Sequence, residues 1–263
     1  RPRIEVLKNF LSINNLGLIL PKQNTENIGA LVSESLPGHK SYAAYDINSV
    51  FPLYINNDNE LKFGPSVEPN LNQKIVSQIA GITGLKFHVL KDLFAKGGEG
   101  FITPIDILDY IYAVLYHPQY KRKYNEFLKI DYPRIPYPKN STAFQRLSLL
   151  GSKLRLSHLL HSKNSESNIS YPISGSNRVE KIRFEKFNGE VGKIFINKTQ
   201  YFENISNKIW EMYVGGYMPA QKWLKDRKDR VLNYEEVIHY QGIINTLMET
   251  SKLVDELDLL EIS

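Results

Sequence analysis

Three stretches of this 263-residue chain interleave basic side chains with aromatic rings. The first, His117–Arg134 with Tyr116 just before it, sets Tyr116, Tyr120, Tyr124 and Tyr132 among Lys121, Arg122, Lys123, Lys129 and Arg134. The second holds Arg178, Lys181, Arg183 and Lys193. The third, GGYMPAQKWLKDRKDR at 215–230, carries Tyr217, Trp223 and five basic residues, interrupted by Asp226 and Asp229. Lysine and arginine neutralise phosphates, arginine, asparagine and glutamine read base edges, and aromatic rings stack on bases. The same residue types also cover the rim of a core and keep a surface hydrated. Helical spacing puts Asp226 within reach of Lys222 and Arg230, and Trp223 suits an anchor to a core. The third stretch therefore reads as a scaffold with a basic rim of Lys225, Arg227 and Lys228.

Residues for bond-making chemistry are sparse. The six histidines include no HExxH spacing. His158 and His161 lie three apart on a helix without a nearby acid to complete a metal site. The adjacent acids Glu235-Glu236 and Asp255-Glu256 fall on the outer face of a terminal helix, where a solvated face is the simpler reading. There is no GxSxG elbow, and Gly97-Gly98-Glu99-Gly100 lacks the phosphate-loop pattern. Cysteine is absent, which excludes disulfides and thiolate zinc sites and suits a reducing compartment. These features point to a binding module, expected to be cytoplasmic, with no catalytic or metal-binding residues and no cofactor of its own.

Charge supports an anionic partner. The net charge is +5, but residues 231–263 hold seven acids and only Lys252, so the other 230 residues carry +11. Residues 115–163 alone have ten Lys and Arg against Glu126 and Asp131. A body this basic fits nucleic acid or a lipid surface. No apolar run approaches the roughly 20 residues that span a bilayer, and no stretch joins a basic face to a broad apolar one, so no membrane role is expected. The chain opens Arg1-Pro2-Arg3 without methionine, as a fragment of a longer polypeptide would.

The positioning elements are short. Leu16–Leu20, Ala30–Val32 and Val50–Ile55 read as strands, and Asn56–Asn59 as a turn. A helix is expected over Asn72–Thr83 with Ile75, Ile79 and Ile82 on one face. A stronger one begins at Thr103-Pro104, with Asp106 in capping position, and has a stripe of Ile107, Tyr110, Ile111, Val114 and Leu115 that Pro118 ends. Tyr132–Pro138 is an extended proline connector, and a helix resumes over Ser141–His161. Ser162–Asn168 reads as a boundary. Val179–Phe187 and Val191–Ile196 form a hairpin about Asn188-Gly189. A final helix is capped by Asn233 and Glu236. The fold class is α+β: short mixed or antiparallel strands and a hairpin braced by several helices, with a C-terminal helix. The expected subdivision is 1–165, an α/β part; 166–232, the hairpin and basic part; and 233–263, the last helix.

Several of these pieces, taken in order, resemble one family. They are Asn15-Leu16-Gly17-Leu18 with Pro21-Lys22-Gln23, Val50–Tyr54, Asp106–Pro136, Phe144–Leu160 in the form F..L..LG..L..LHLL, Gln200-Tyr201-Phe202, Gly215-Gly216-Tyr217, Lys222–Arg230 and His239-Tyr240-Gln241. Over nearly its whole length the chain is similar to the C-terminal specificity region of type ISP restriction–modification enzymes. The resemblance implies a target-recognition domain for duplex DNA. Its partner on the same polypeptide would be an adenine methyltransferase domain, and other domains would use S-adenosylmethionine, ATP and Mg for methylation, translocation and cleavage. The chain itself lacks a Walker lysine motif, an Asn-Pro-Pro-Tyr motif and a nuclease carboxylate–lysine cluster. Glu180-Lys181 and Glu185-Lys186 belong to an alternating strand. Motifs shared within such a family hold scaffold, so base reading is expected in loops 22–48, 176–193 and 197–208. Gln23, Asn48, Arg178, Lys181, Arg183 and Gln200 are the expected base contacts. Lys22, Lys40, Lys121, Arg122, Lys193, Lys225, Arg227 and Lys228 are the expected phosphate contacts. A protein–protein or inter-domain docking module and an RNA-binding accessory domain are the alternatives.

Overall fold

The structure, a computed structural model, describes residues 4–11, 13–23, 29–38, 40–43, 47–57, 66–161, 169–189 and 191–262. The Ser162–Asn168 boundary and Arg1–Arg3 lie outside the described residues, as do Asp58 and Asn59 of the expected turn. The chain forms two compact units, Arg1–Leu159 with Leu253–Ser263, and Leu160–Lys252. The architecture is α+β, as the element pattern implies.

In the first unit a helix α1 (Ile4–Leu11) precedes β1 (Gly17–Pro21), β2 (Leu31–Ser33) and β3 (Asn48–Pro52), an antiparallel sheet of order β2-β1-β3. The strand expected over Val50–Ile55 breaks at Leu53, and β4 (Tyr54–Asn57) pairs instead with β5 (Ser66–Pro69). Asn15 explains the break. Its buried amide donates to the Asn9 and Tyr54 carbonyls and accepts from the Leu16 and Tyr54 N–H groups, pinning β4 to the end of α1. Next come α2 (Gln73–Thr83), a short parallel pair β6 (Lys86–Phe87) and β7 (Phe101–Ile102), then α3 (Pro104–Tyr116), α4 (Pro118–Leu128) and α5 (Ser141–His158). In α2 the buried side chains are Val76, Ile79 and Thr83, while Ile75 and Ile82 are exposed, so the buried face lies one residue round from the expected stripe.

Helix α3 is the axis of this unit. Every residue of it except Ile111 is buried, so the expected stripe is instead a helix enclosed on all sides. Its start follows the capping logic: the Asp106 carboxylate accepts from the Thr103 N–H at 2.9 Å, the Thr103 hydroxyl at 2.7 Å and the Gly97 N–H at 2.7 Å. The buried Asp109 is matched by Arg155 of α5, whose Nε lies 2.6 Å away, and by Lys96 at 3.0 Å. Pro118 does end α3, but it also opens α4, where its missing N–H is one of the orphans at a helix start. The proline connector is held by tyrosines: Tyr120 donates to the Arg134 carbonyl and Tyr110 to that of Pro136, both at 2.9 Å.

The second unit holds β8 (Arg183–Asn188), β9 (Val191–Phe195) and β10 (Tyr201–Ser206), antiparallel in the order β10-β9-β8. Asn188 is the last residue of β8 and faces Val191, so the turn begins at Gly189, at φ +61°, one residue on from the expected Asn188-Gly189. Helices α6 (Asn207–Trp210) and α7 (Pro219–Lys225) follow, and then α8 (Tyr234–Asp258), whose residues up to Lys252 belong to this unit and whose last turns belong to the first. At the start of α8 the Asn233 N–H donates to Glu236, and the Asn233 side chain accepts from the Glu236 N–H. The core of this unit gathers Val179, Ile194, Phe202, Ile205, Leu224, Tyr240 and Ile244.

Candidate nucleic-acid interface

Register sorts the β8–β10 sheet into two faces. Phe184, Ile194 and Phe202 form one rung, on the core side. On the other face Arg183, Phe195 and Tyr201 make one rung and Glu185, Lys193 and Glu203 the next. The Arg183 guanidinium lies 3.9 Å from the centre of the Phe195 ring and covers it, while Nη1 donates to the Asn197 carbonyl at 3.0 Å and Nε pairs with Glu185. Lys193 sits over Tyr201 at 4.0 Å and pairs with Glu203 at 3.6 Å. These two cations are thus held by rings and carboxylates, and the middle of this face is close to charge-balanced.

Uncommitted charge lies beside the sheet. The segment Asn177–Glu180 is bonded on both sides. Val179 donates to Arg230 and accepts from Asp229, Leu232 donates to Asn177, and Glu180 donates to Ile196. A buried amide cluster sets this junction. Gln200 is completely buried. Its Oε1 accepts from the Asn177 N–H and the Asn197 side chain, and its Nε2 donates to the Ile173 carbonyl and to Asn177 Oδ1. Asn197 in turn donates to the Arg178 carbonyl at 3.1 Å. Asn177 adopts φ +53°, a conformation asparagine tolerates better than most residues. Around this junction Arg178, Lys181, Lys198 and Lys228 are exposed, with no side-chain partner among the described residues. Arg178 lies on the segment, Lys181 directly follows it, and Lys198 and Lys228 lie within two residues of positions bonded to it.

The 215–230 stretch is mainly scaffold. Trp223 packs on Tyr240 and His239, and the Arg227 guanidinium stacks on Trp223 at 3.6 Å while its Nε reaches Glu236. Lys222 pairs with Asp226 at 2.7 Å, as the spacing suggested, whereas Arg230 pairs with Glu236 rather than Asp226. The backbone N–H of Asn233 holds the Glu236 carboxyl below its ordinary range, with Arg230 and Arg227 adding to the effect. Lys225 is exposed and donates to Gln221.

In the first unit Lys22, Gln23 and Lys40 are exposed, and Gln23 donates to the Ile130 carbonyl at 3.4 Å. Asn48 is buried, with its amide shared between the Tyr42 N–H and the Gly38 carbonyl. Arg122 is exposed but paired with Asp258 at 2.9 Å. Lys121 is half-buried over the Tyr116 ring at 4.9 Å, and desolvation pulls its ammonium down to about 8. Beside it Tyr112 and His158 share a hydrogen bond of 2.6 Å, and burial, helped by Lys121, brings His158 down to about 4. Tyr116 and Tyr120 are buried with their hydroxyls on backbone carbonyls, so they offer no free ring to a base.

The structure therefore puts two of the expected base contacts, Asn48 and Gln200, inside the scaffold, and it desolvates Lys121. It leaves Arg178 and Lys181 open and Gln23 exposed on a long bond to the Ile130 carbonyl, and presents Arg183 pre-held on an aromatic ring. It adds Lys198, whose place in the turn between β9 and β10 was marked only by the flanking Asn197 and Gln200. Among the described residues no group of three histidines and carboxylates gathers as a metal would require, and no helix is long and apolar enough to cross a membrane.

The family model described as Type ISP C-terminal specificity domain matches residues 1–256. The fold is similar to that of three solved structures. One is an ATP-dependent Type ISP restriction-modification enzyme, LlaBIII, bound to DNA, with TM-score 0.70 and 20% identity over 96% of this chain and 16% of that one. The second is a nuclease-deletion mutant of the Type ISP enzyme LlaGI in complex with a DNA substrate mimic, with TM-score 0.63 and 20% identity over 95% of this chain and 22% of that one. The third is a DrdV–DNA complex, with TM-score 0.71 and 15% identity over 95% of this chain and 25% of that one. The chain thus spans a quarter or less of the length of the solved chains it matches. No curated protein matches it.

Proposed function

Because this chain belongs to the type ISP C-terminal specificity domain family, we propose that it recognises a specific sequence in duplex DNA. On this reading it directs methyl transfer and cleavage performed by other domains of the same polypeptide. Those domains would supply the S-adenosylmethionine, ATP and Mg chemistry, and this chain would carry none of it. The observation that carries the reading is the group of exposed cations at Arg178, Lys181, Lys198 and Lys228 around one rigid junction. Cations already matched by carboxylates gain little from a phosphate, but these four would release counterions on binding. Lys22 is a further phosphate contact on the same argument, and Lys40 and Lys225 are proposed as phosphate contacts on their exposure alone. Arg178, Lys181 and Gln23 can reach base edges. Arg183 is the best-ordered base reader, because its fork is fixed on Phe195 before DNA arrives.

The test is binding to a mixed-sequence duplex across a salt series. Affinity should fall steeply with salt, and replacing Arg178, Lys181, Lys198 or Lys228 by alanine should each lower the slope by about 0.9. Lys121→Ala should leave it unchanged. A flat salt response, or a slope indifferent to all four substitutions, removes the DNA reading. Against a bound target sequence, Arg183→Ala should relax discrimination at one position, whereas Lys228→Ala should weaken all sequences alike.

A further inference from the structure

Phe187 is 76% exposed at the end of the β8–β9 hairpin. Nothing in the turn requires a large apolar ring there. The strand register shows why the ring stands out: Lys186 faces Gly192 and Asn188 faces Val191, so Phe187 is the extra residue of a β-bulge and has no partner opposite. A bulge re-aims the side chain it carries. The bulged ring is bracketed by cations. Lys186 is exposed with no partner among the described residues, and the Lys193 ammonium lies 4.6 Å from the centre of the Phe187 ring. An exposed aromatic wedge with flanking lysines matches nucleic acid, in which apolar base faces lie between rows of phosphates.

We propose that Phe187 is a base-stacking wedge, pressed against or between bases of duplex DNA at the hairpin tip, while Lys186 holds the adjacent phosphate. This rests on the DNA-binding reading above. It goes further by giving the hairpin tip a role in unstacking that needs no hydrogen bond to a base edge.

Two measurements on the chain test it, both with a mixed-sequence duplex containing 2-aminopurine. Binding by the parent chain should raise 2-aminopurine fluorescence, and Phe187→Ala should abolish the rise and weaken binding roughly five- to a hundredfold. The salt slope should stay as in the parent, because no cation is removed. In Phe187→Trp the added indole emission should be quenched on duplex binding, as a ring stacked on bases is. Salt-dependent binding by the parent, with Phe187→Ala binding equally well and Phe187→Trp emission unquenched, overturns the wedge and leaves the DNA reading intact. A blue shift of that emission only when a protein partner is added would assign the ring to a protein interface instead. Absence of salt-dependent binding by the parent overturns both readings.

Discussion

Replacing Gly151 by alanine should be among the most damaging single-methyl changes available in this protein. Helix α5 crosses α3 at Gly151, and a Cβ placed there would lie 1.8 Å from the Asp109 carbonyl oxygen, 2.7 Å from its carbon and 3.2 Å from the Ala113 nitrogen. All three are backbone atoms of a buried helix, so no rotamer can yield. A comfortable carbon–oxygen contact is about 3.3 Å, so the helices must part locally by about 1.5 Å. That movement also pulls on the ion pair between Arg155 and Asp109. Overpacking usually costs about 1–3 kcal/mol, and a clash with rigid backbone belongs at or above the top of that range. For a chain of this size about 3 kcal/mol is a fall of roughly 6–12 °C in melting temperature. Circular dichroism during urea and thermal unfolding measures it. Gly81→Ala is the control with opposite sign: it lies inside α2, nothing lies within 4 Å of the new methyl, and removing a mid-helix glycine should stabilise by about 0.5–1 kcal/mol. If the two variants shift the midpoint by similar amounts in the same direction, the account of the α3–α5 crossing is wrong.

Gln200→Ala removes the amide that bonds Asn177, Asn197 and the Ile173 carbonyl and strands the part-buried Asn177 N–H and Ile173 carbonyl, so unfolding of the second unit should become easier by about 3 kcal/mol; an unchanged urea midpoint contradicts this. Lys121→Met replaces a half-buried, desolvated ammonium and should raise the melting temperature, while leaving duplex affinity as it was; a lower melting temperature would show that the ammonium is stabilising. Burial keeps His158 neutral down to about pH 4, against 6.5 for the free group. As the medium acidifies the unfolded chain therefore takes up this proton first. The His158 contribution to stability is complete above about pH 6.5 and is lost as pH falls through about 4. His158→Gln should flatten that part of the stability–pH curve, and an identical acid limb in the variant would remove His158 as its cause.

The local signals in the sequence were strong where one short segment decides the outcome. The cap of α3 at Thr103 and Asp106 and the cap of α8 at Asn233 and Glu236 depend on residues a few positions apart, as does the hairpin, whose turn lies one residue beyond the expected Asn188-Gly189. Failures came where a residue serves two roles or where burial decides. Pro118 stops one helix and starts the next, so reading it only as a stop hid α4. The stripe in Ile105–Tyr116 was visible, but whether the opposite side is also covered depends on elements far away in the chain. Strand β10 has a mixed pattern, YFENIS, broken by a bulge at Asn204 with φ +67°. For the candidate site, the exposed cations Arg178, Lys181 and Lys228 were legible from charge and position. Asn48 and Gln200 were not, because a polar amide that reads a base and one that satisfies buried backbone look the same in sequence. Only the partners, here the Tyr42 N–H and Gly38 carbonyl, or Asn177, Asn197 and Ile173, tell them apart.

The amide cluster of Asn177, Asn197 and Gln200 has a consequence for how this surface could diversify. The junction is shaped by side chains that point inward, and its outward positions at 178, 181, 198 and 228 add nothing to that shape. Substitutions at such exposed positions typically alter stability by no more than about 0.5 kcal/mol. The inward amides therefore act as a fixed frame and the outward side chains as exchangeable type. A library randomised at those four positions should fold nearly as often as the parent, so new binding preferences could be selected there without first buttressing the scaffold.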